Sequence, residues 1–146
     1  MRHLLLILLL APLLAIANPK MITVQQAHEQ SFNGERLLID VRSENEWVES
    51  GVGLYAQTIS MHQPGGLKTF KQQLLTLTNG KKDEPIALIC AGGVRSSHVQ
   101  RYLEKNGFSN VVDVNEGMLG GYFTKGWLDY GLPVKKYKKQ LFRRAN

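Results

Sequence analysis

Three short segments, Leu-Leu-Ile-Asp-Val at 37–41, Ile-Ala-Leu-Ile-Cys at 86–90 and Asn-Val-Val-Asp-Val at 110–114, are nearly continuous in apolar residues. This pattern limits the fold more than any other feature of the chain. A strand with one wet face alternates apolar and polar residues, whereas a strand covered on both faces reads as an unbroken apolar run. Between the runs the period changes to that of helices. Thr23 is placed to cap a helix over 24–31, which ends before the Asn33-Gly34 turn. Ser43 and Glu46 have the spacing of a capping box ahead of Trp47 and Val48. Leu67, Phe70, Leu74 and Leu77 form one apolar stripe, and Val99, Tyr102 and Leu103 form another that stops at Gly107. Residues 57–60 and 21–23 are weaker strand candidates. Strands and helices therefore alternate, which predicts an α/β fold: a small parallel sheet with helices on both faces. At 146 residues and 43% apolar composition the chain is one domain's worth of foldable sequence, without an internal repeat or low-complexity tract.

The first seventeen residues stand apart from this pattern. Arg2 supplies a short positive region, 4–14 an apolar run interrupted by Pro12, and Ala15-Ile16-Ala17 a small-x-small cleavage site. The run falls short of the roughly 20 residues needed to span a bilayer, so it reads as a secretory signal peptide rather than an anchor. The expected organisation is a signal peptide at 1–17, a domain at 18–134 and a basic tail at 135–146. The mature chain is expected to carry no transmembrane segment and to be exported, to the periplasm in a bacterium.

Charge is concentrated at the other end. The chain has 18 Lys and Arg against 12 Asp and Glu, and six of the cations lie in 135–144, which holds no acid. Residues 1–134 are formally neutral. Such a tail reads first as a solvated terminus and second as a contact for an anionic surface or acidic partner. No nucleic-acid partner is expected of an exported protein.

Cys90 is the sole cysteine, so it cannot form an internal disulfide. It ends the second apolar run, and in an open parallel sheet ligands bind beyond the carboxyl ends of the strands. Ala91, Gly92 and Gly93 allow the backbone to curl so that successive N–H groups, through Val94 and Arg95, form an anion-binding nest at a helix start. That setting favours a thiolate, and an inward-turned Arg95 would add a cation. Cys90 and Arg95 are thus the candidate catalytic residues. Ala91, Gly92, Gly93, Val94 and Ser96 are the candidate substrate contacts. The alternative is an inert, buried cysteine.

These residues carry a resemblance. Cys-Ala-Gly-Gly-Val-Arg-Ser at 90–96 resembles the active-site loop of the rhodanese, or sulfurtransferase, family, in which a cysteine opens a six-residue loop closed by arginine. Asp40-Val41-Arg42 followed by Glu46-Trp47 is similar to another family segment. Residues 110–134 resemble the family's last strand, its glycine-rich turn, a tryptophan (Trp127) and the closing Gly131-Leu132-Pro133-Val134. The chain departs from the pattern at 51–60, where only Gly51, Ala56 and Ile59 match the family's Gly-His-Ile-Pro-Gly-Ala region.

The resemblance implies a rhodanese-like fold and transfer of a sulfane sulfur from a donor such as thiosulfate to a thiol or cyanide through a Cys90 persulfide. Neither a metal nor an organic cofactor is implied. A cysteine phosphatase or arsenate reductase also joins a cysteine to an arginine, but its loop places one more residue between them than the four found here, so the cradle differs in radius. A non-catalytic binding module, or a persulfide carrier serving a protein partner, is the alternative of another class. Of the remaining polar residues, Asp40 and Arg42 read first as an ion pair fixing loops and second as site-lining groups. His62 reads as an exposed loop residue near the substrate side, His98 as a surface residue, Ser97 as a helix-start residue, and Trp47 and Trp127 as packing aromatics.

Overall fold

The structure, a computed structural model, describes residues 20–139. The signal-peptide segment expected at 1–17 and the last part of the basic tail lie outside the described residues. Four strands, β1 (Leu37–Asp40), β3 (Gln57–Thr58), β4 (Ile86–Ile89) and β5 (Val111–Val114), form one parallel sheet in the order β3-β1-β4-β5. A second, two-residue ladder pairs β2 (Val52–Gly53) antiparallel with β6 (Val134–Lys135). The helices are α1 (Val24–Phe32), α2 (Glu44–Ser50), α3 (Gly66–Leu77) and α4 (Val94–Lys105). This is the α/β architecture that the apolar runs predict. Of the weaker candidates, 57–60 yields β3, whereas 21–23 makes only a parallel bridge from Met21 to Asp113 at the free edge of β5.

The runs are continuous because both faces of the sheet are buried. Ile39, Leu88 and Val111 pack on one face with Phe70 and Leu74 of α3 and Val99 and Leu103 of α4. Leu38, Ala87, Ile89, Val112 and Val114 pack on the other with Val24 and Ala27 of α1 and with Met118 and Trp127 of the chain after β5. The second layer is therefore only partly helical. In α3 the apolar stripe is buried at Phe70 and Leu74, while Leu77 at its end is 40% exposed.

The caps form where the sequence places them. Thr23 Oγ1 accepts the Gln26 N–H and Gln26 Oε1 accepts the Thr23 N–H. The Glu116 carboxylate also accepts the Val24 N–H at 2.7 Å, placing negative charge at the positive end of α1. Trp127 is fully buried and donates from Nε1 to Pro133 O. The region expected to be a free tail begins inside β6, and Tyr137 then lies against Trp47, the rings tilted by 55° with centroids 5.1 Å apart. Lys139 reaches Glu44 at 3.3 Å. Among the described residues no helix is long and apolar enough to cross a membrane.

Candidate active site

Cys90 directly follows β4, and its side chain turns toward α3 and α4, where only 1% of the residue is exposed. The chain then bends through 91–93 into α4. The segment after β5 holds this bend: Cys90 O accepts the Met118 N–H at 2.8 Å and Ala91 O the Leu119 N–H at 2.9 Å. Gly93, the N-cap of α4, has φ +92°, and a Cβ there would collide with the backbone carbonyl of Asn115. Glycine alone fits that turn, and the turn aims the Gly93 N–H at the sulfur, to which it donates at 3.1 Å. The first N–H groups of a helix have no intrahelical acceptor, and with the helix dipole they favour an anion at this end. Ser96, in the first turn of α4 and fully buried, places its hydroxyl 3.3 Å from Sγ and 3.2 Å from Gly93 O.

Of the residues that the sequence singles out, the Gly93 N–H and the Ser96 hydroxyl meet Cys90 Sγ, and Ala91 and Gly92 form the bend between Cys90 and Gly93. Val94 begins α4 and is 81% exposed. Arg95 does not meet the sulfur with a hydrogen bond. Its two terminal nitrogens donate to Glu46, Nη2 to Oε1 at 2.6 Å and Nη1 to Oε2 at 2.8 Å, and Nη1 lies 3.3 Å from His62 Nε2. Hydrogen bonds from Arg95 pull the Glu46 carboxyl down to about 2 against the smaller opposing effect of burial. The bond to Glu46 raises the Arg95 guanidinium in turn, and the charge of Cys90 acts on it in the same direction. Arg95 is a permanent cation anchored by a carboxylate.

Glu46 is the residue that capping logic undervalues. The Ser43 backbone N–H and hydroxyl both donate to Glu46 Oε2, at 3.0 and 2.7 Å, so one carboxylate fixes the start of α2 and holds Arg95. Its sequence signal was present: an acid and an aromatic following Asp-Val-Arg in one of the segments quoted above. Asp40 and Arg42 take the structural role. They are 0% and 1% exposed, with Arg42 Nη2 2.8 Å from Asp40 Oδ2. Arg42 continues to Ser50 Oγ and Gly51 O, both at 2.7 Å, and so ties the end of β1 to the end of α2. His98 lies exposed on α4. Ser97 receives a hydrogen bond from Arg101 at 2.7 Å. Among the described residues no three His, Cys, Asp or Glu side chains converge as metal ligands.

The match to known proteins covers this same assembly. A sequence profile of the rhodanese-like domain matches residues 23–122, from the cap of α1 to the segment that braces the Cys90 loop. The chain belongs to the rhodanese-like family. A rhodanese-like domain protein from Staphylococcus aureus has 30% sequence identity with it and superposes with a TM-score of 0.54, covering 80% of this chain and 99% of that one. An uncharacterized protein of Rickettsia prowazekii is 26% identical over 109 residues, 70% of this chain and 85% of that protein. The tRNA uridine(34) hydroxylase of Photorhabdus laumondii is 28% identical over 114 residues, which are 76% of this chain but only 30% of the hydroxylase. Within the rhodanese-like fold, the departure at 51–60 falls on β2, on the turn into β3 and on β3 itself. There Gly51 O receives Arg42, and Ala56 and Ile59 are buried. The matching residues are those with packing or backbone duties.

Proposed function

We propose that this rhodanese-like protein is a sulfurtransferase that carries a sulfane sulfur on Cys90. The observation that supports the reading best is the hydrogen bond from the Gly93 N–H to Cys90 Sγ at 3.1 Å, in a loop that opens with the chain's sole cysteine and closes with Arg95. In the first step the Cys90 thiolate attacks the outer sulfur of a donor such as thiosulfate. The donor's S–S bond breaks, sulfite leaves with the bonding pair, and Cys90 becomes a persulfide. In the second step a thiolate or cyanide attacks the outer persulfide sulfur, and the thiolate of Cys90 is restored. The N–H groups of 91–95 and the Arg95 charge stabilise the anionic sulfur at both stages. Ala91, Gly92, Gly93, Val94 and Ser96 are the proposed substrate contacts, and the reaction calls for neither metal nor organic cofactor. The acceptor is a small thiol or a thiol on a protein. The tRNA hydroxylase relative is more than three times longer than the segment it shares, so hydroxylation is not carried over to this chain.

Intact-protein mass spectrometry tests the proposal. Protein treated with thiosulfate should gain the mass of one sulfur atom and lose it to cyanide or a dithiol, while Cys90→Ser gains nothing. Sulfur transfer by the serine variant at the unmodified rate would overturn the mechanism. Export is part of the same proposal, and amino-terminal sequencing of the secreted protein should find a start near Asn18. Recovery of the Met1 form from the cytoplasm would refute it.

A further inference from the structure

His62 has no role in the steps above, although the fold brings it to the site. Past β3 the chain keeps pairing with the end of β1: the Ile59 N–H donates to Asp40 O and the Met61 N–H to Val41 O, both at 3.1 Å. Met61 packs against the core on the face that also holds Cys90. These contacts carry the next residue, His62, to the carboxyl end of the sheet, where ligands bind in open parallel sheets. Its backbone N–H donates to Ser60 Oγ at 3.1 Å, and its ring reaches Arg95 across 33 positions, with Nε2 3.3 Å from Nη1.

A guanidinium has five N–H donors and no acceptor, so in this contact the histidine nitrogen must accept. That fixes the imidazole: Nε2 carries the lone pair and Nδ1 the proton, whereas an imidazolium would set donor against donor. Nη1 then gives one hydrogen to Glu46 Oε2 at 2.8 Å and its other to His62, and Nη2 gives one to Glu46 Oε1 at 2.6 Å. Arg95 makes no further hydrogen bond among the described residues, which leaves the Nε hydrogen and the second hydrogen of Nη2 along one edge of the guanidinium. Two parallel N–H groups on such an edge fit two oxygens of one anion, and with 28% of its side chain exposed Arg95 is within reach of a small one. Glu46 is itself fixed, since the Ser43 N–H and hydroxyl both donate to Oε2. The guanidinium is therefore held from two sides, by α2 and by the segment after β3. We propose that His62 is a positioning residue: its Nε2 accepts from Arg95 and so sets the free Nε–Nη2 edge for the oxygens of an anionic sulfur donor. The inference rests on the reading of Cys90 as the sulfur carrier.

Long-range proton–nitrogen NMR of the full-length protein at mildly alkaline pH reads which ring nitrogen carries the proton. The signals of His62 are picked out from those of the four histidines by their loss in His62→Gln. They should show the proton on Nδ1, and Arg95→Ala should return the ring to the mixture of forms of a free imidazole. A proton on Nε2 in the unmodified protein, or a ring that Arg95→Ala leaves unchanged, overturns the proposal. The first of these needs no Arg95 variant, so it decides even if Arg95→Ala does not fold. Persulfide formation against thiosulfate concentration gives the second readout. His62→Ala should raise the half-saturating concentration roughly two- to tenfold and change the limiting rate by less than about twofold, and His62→Gln, whose Oε1 can accept the same hydrogen, should restore it. A half-saturating concentration unmoved by alanine, or a glutamine variant that behaves as the alanine one, overturns the proposal as well. The NMR readout needs no sulfur donor, so the His62–Arg95 contact can fail while sulfur transfer stands, and the reverse.

Discussion

Replacing Gly93 by alanine should damage both the fold and the sulfur site, and the structure sets the size of each effect. The residue has φ +92°, and a left-handed backbone costs an L-residue about 1–2 kcal/mol. The added methyl would collide with Asn115 O and stand 2.9 Å from its carbonyl carbon and 3.0 Å from its Cα. These are backbone atoms and cannot rotate away, so the bend must open, at an overpacking cost of about 1–3 kcal/mol. The sum is about 2–5 kcal/mol, a large share of the roughly 5–15 kcal/mol that holds a domain folded. In urea, with a slope of about 2 kcal/mol/M, the midpoint should fall by about 1–2.5 M. Opening the bend also withdraws the Gly93 N–H from Cys90 Sγ. A hydrogen bond to a charged group contributes about 1.5–3 kcal/mol, so persulfide formation should slow by roughly ten- to a hundredfold. Gly92→Ala is the comparison for stability, since its methyl would meet only Gly120 O at an ordinary 3.4 Å. A Gly93→Ala midpoint within about 0.3 M of the unmodified protein would refute the argument that this turn admits only glycine.

Other perturbations follow from the same geometry. Asp40→Ala leaves the Arg42 guanidinium, in a residue 1% exposed, without its carboxylate. The loss should be about 3–5 kcal/mol, seen as a fall in Tm of roughly 10–20 °C; a change under about 1 kcal/mol would mean that Ser50 and Gly51 suffice to satisfy Arg42. Glu46 is held at about 2 in the folded protein against an ordinary 4.5. Its folded value is depressed, so the stability it adds is present above pH 4.5 and is lost as the pH falls toward 2. Glu46→Gln should therefore flatten the acid limb of Tm against pH across that window, and an unchanged limb would remove Glu46 as its cause. Deleting 135–146 removes the Lys135 half of the β2–β6 ladder and the Tyr137 ring from Trp47, whereas the Lys139–Glu44 pair is solvent-exposed and adds little. The expected cost is about 1–2 kcal/mol by urea unfolding, and a truncated protein of undiminished stability would show that the docked tail does not brace α2.

How much of this was legible in the sequence differs from element to element. The strands β1, β4 and β5 were legible because burial on both faces leaves no room for polar alternation, and α1 and α2 because their caps are local pairs, Thr23 with Gln26 and Ser43 with Glu46. The site loop was legible for a similar reason: a cysteine, small residues and an arginine lie within six consecutive positions. The β2–β6 ladder was not, since two-residue strands more than eighty positions apart carry no periodicity. Val134 looked like the end of the domain and instead pairs with Gly53, and the weak strand candidate at 21–23 only bridges from Met21 to Asp113.

The site residues divide along the same line. The sequence alone determined that a single thiol would stand at a strand end before a helix, because that follows from apolar runs and turn chemistry acting over a few residues. Only the tertiary structure decided what surrounds the thiol. Glu46 reaches Arg95 across 49 positions, and it makes the cation an anchored partner of a carboxylate where the loop sequence suggested a guanidinium turned to the sulfur. Asp113, inside an apolar run of the sequence, is set by the β4–β5 register on the same sheet face as Leu88 and Cys90. The physical reason is range. Caps, turns and burial patterns are decided by neighbours along the chain, whereas the field on a buried sulfur is the sum of charges and dipoles that meet only when the sheet and α4 close over it.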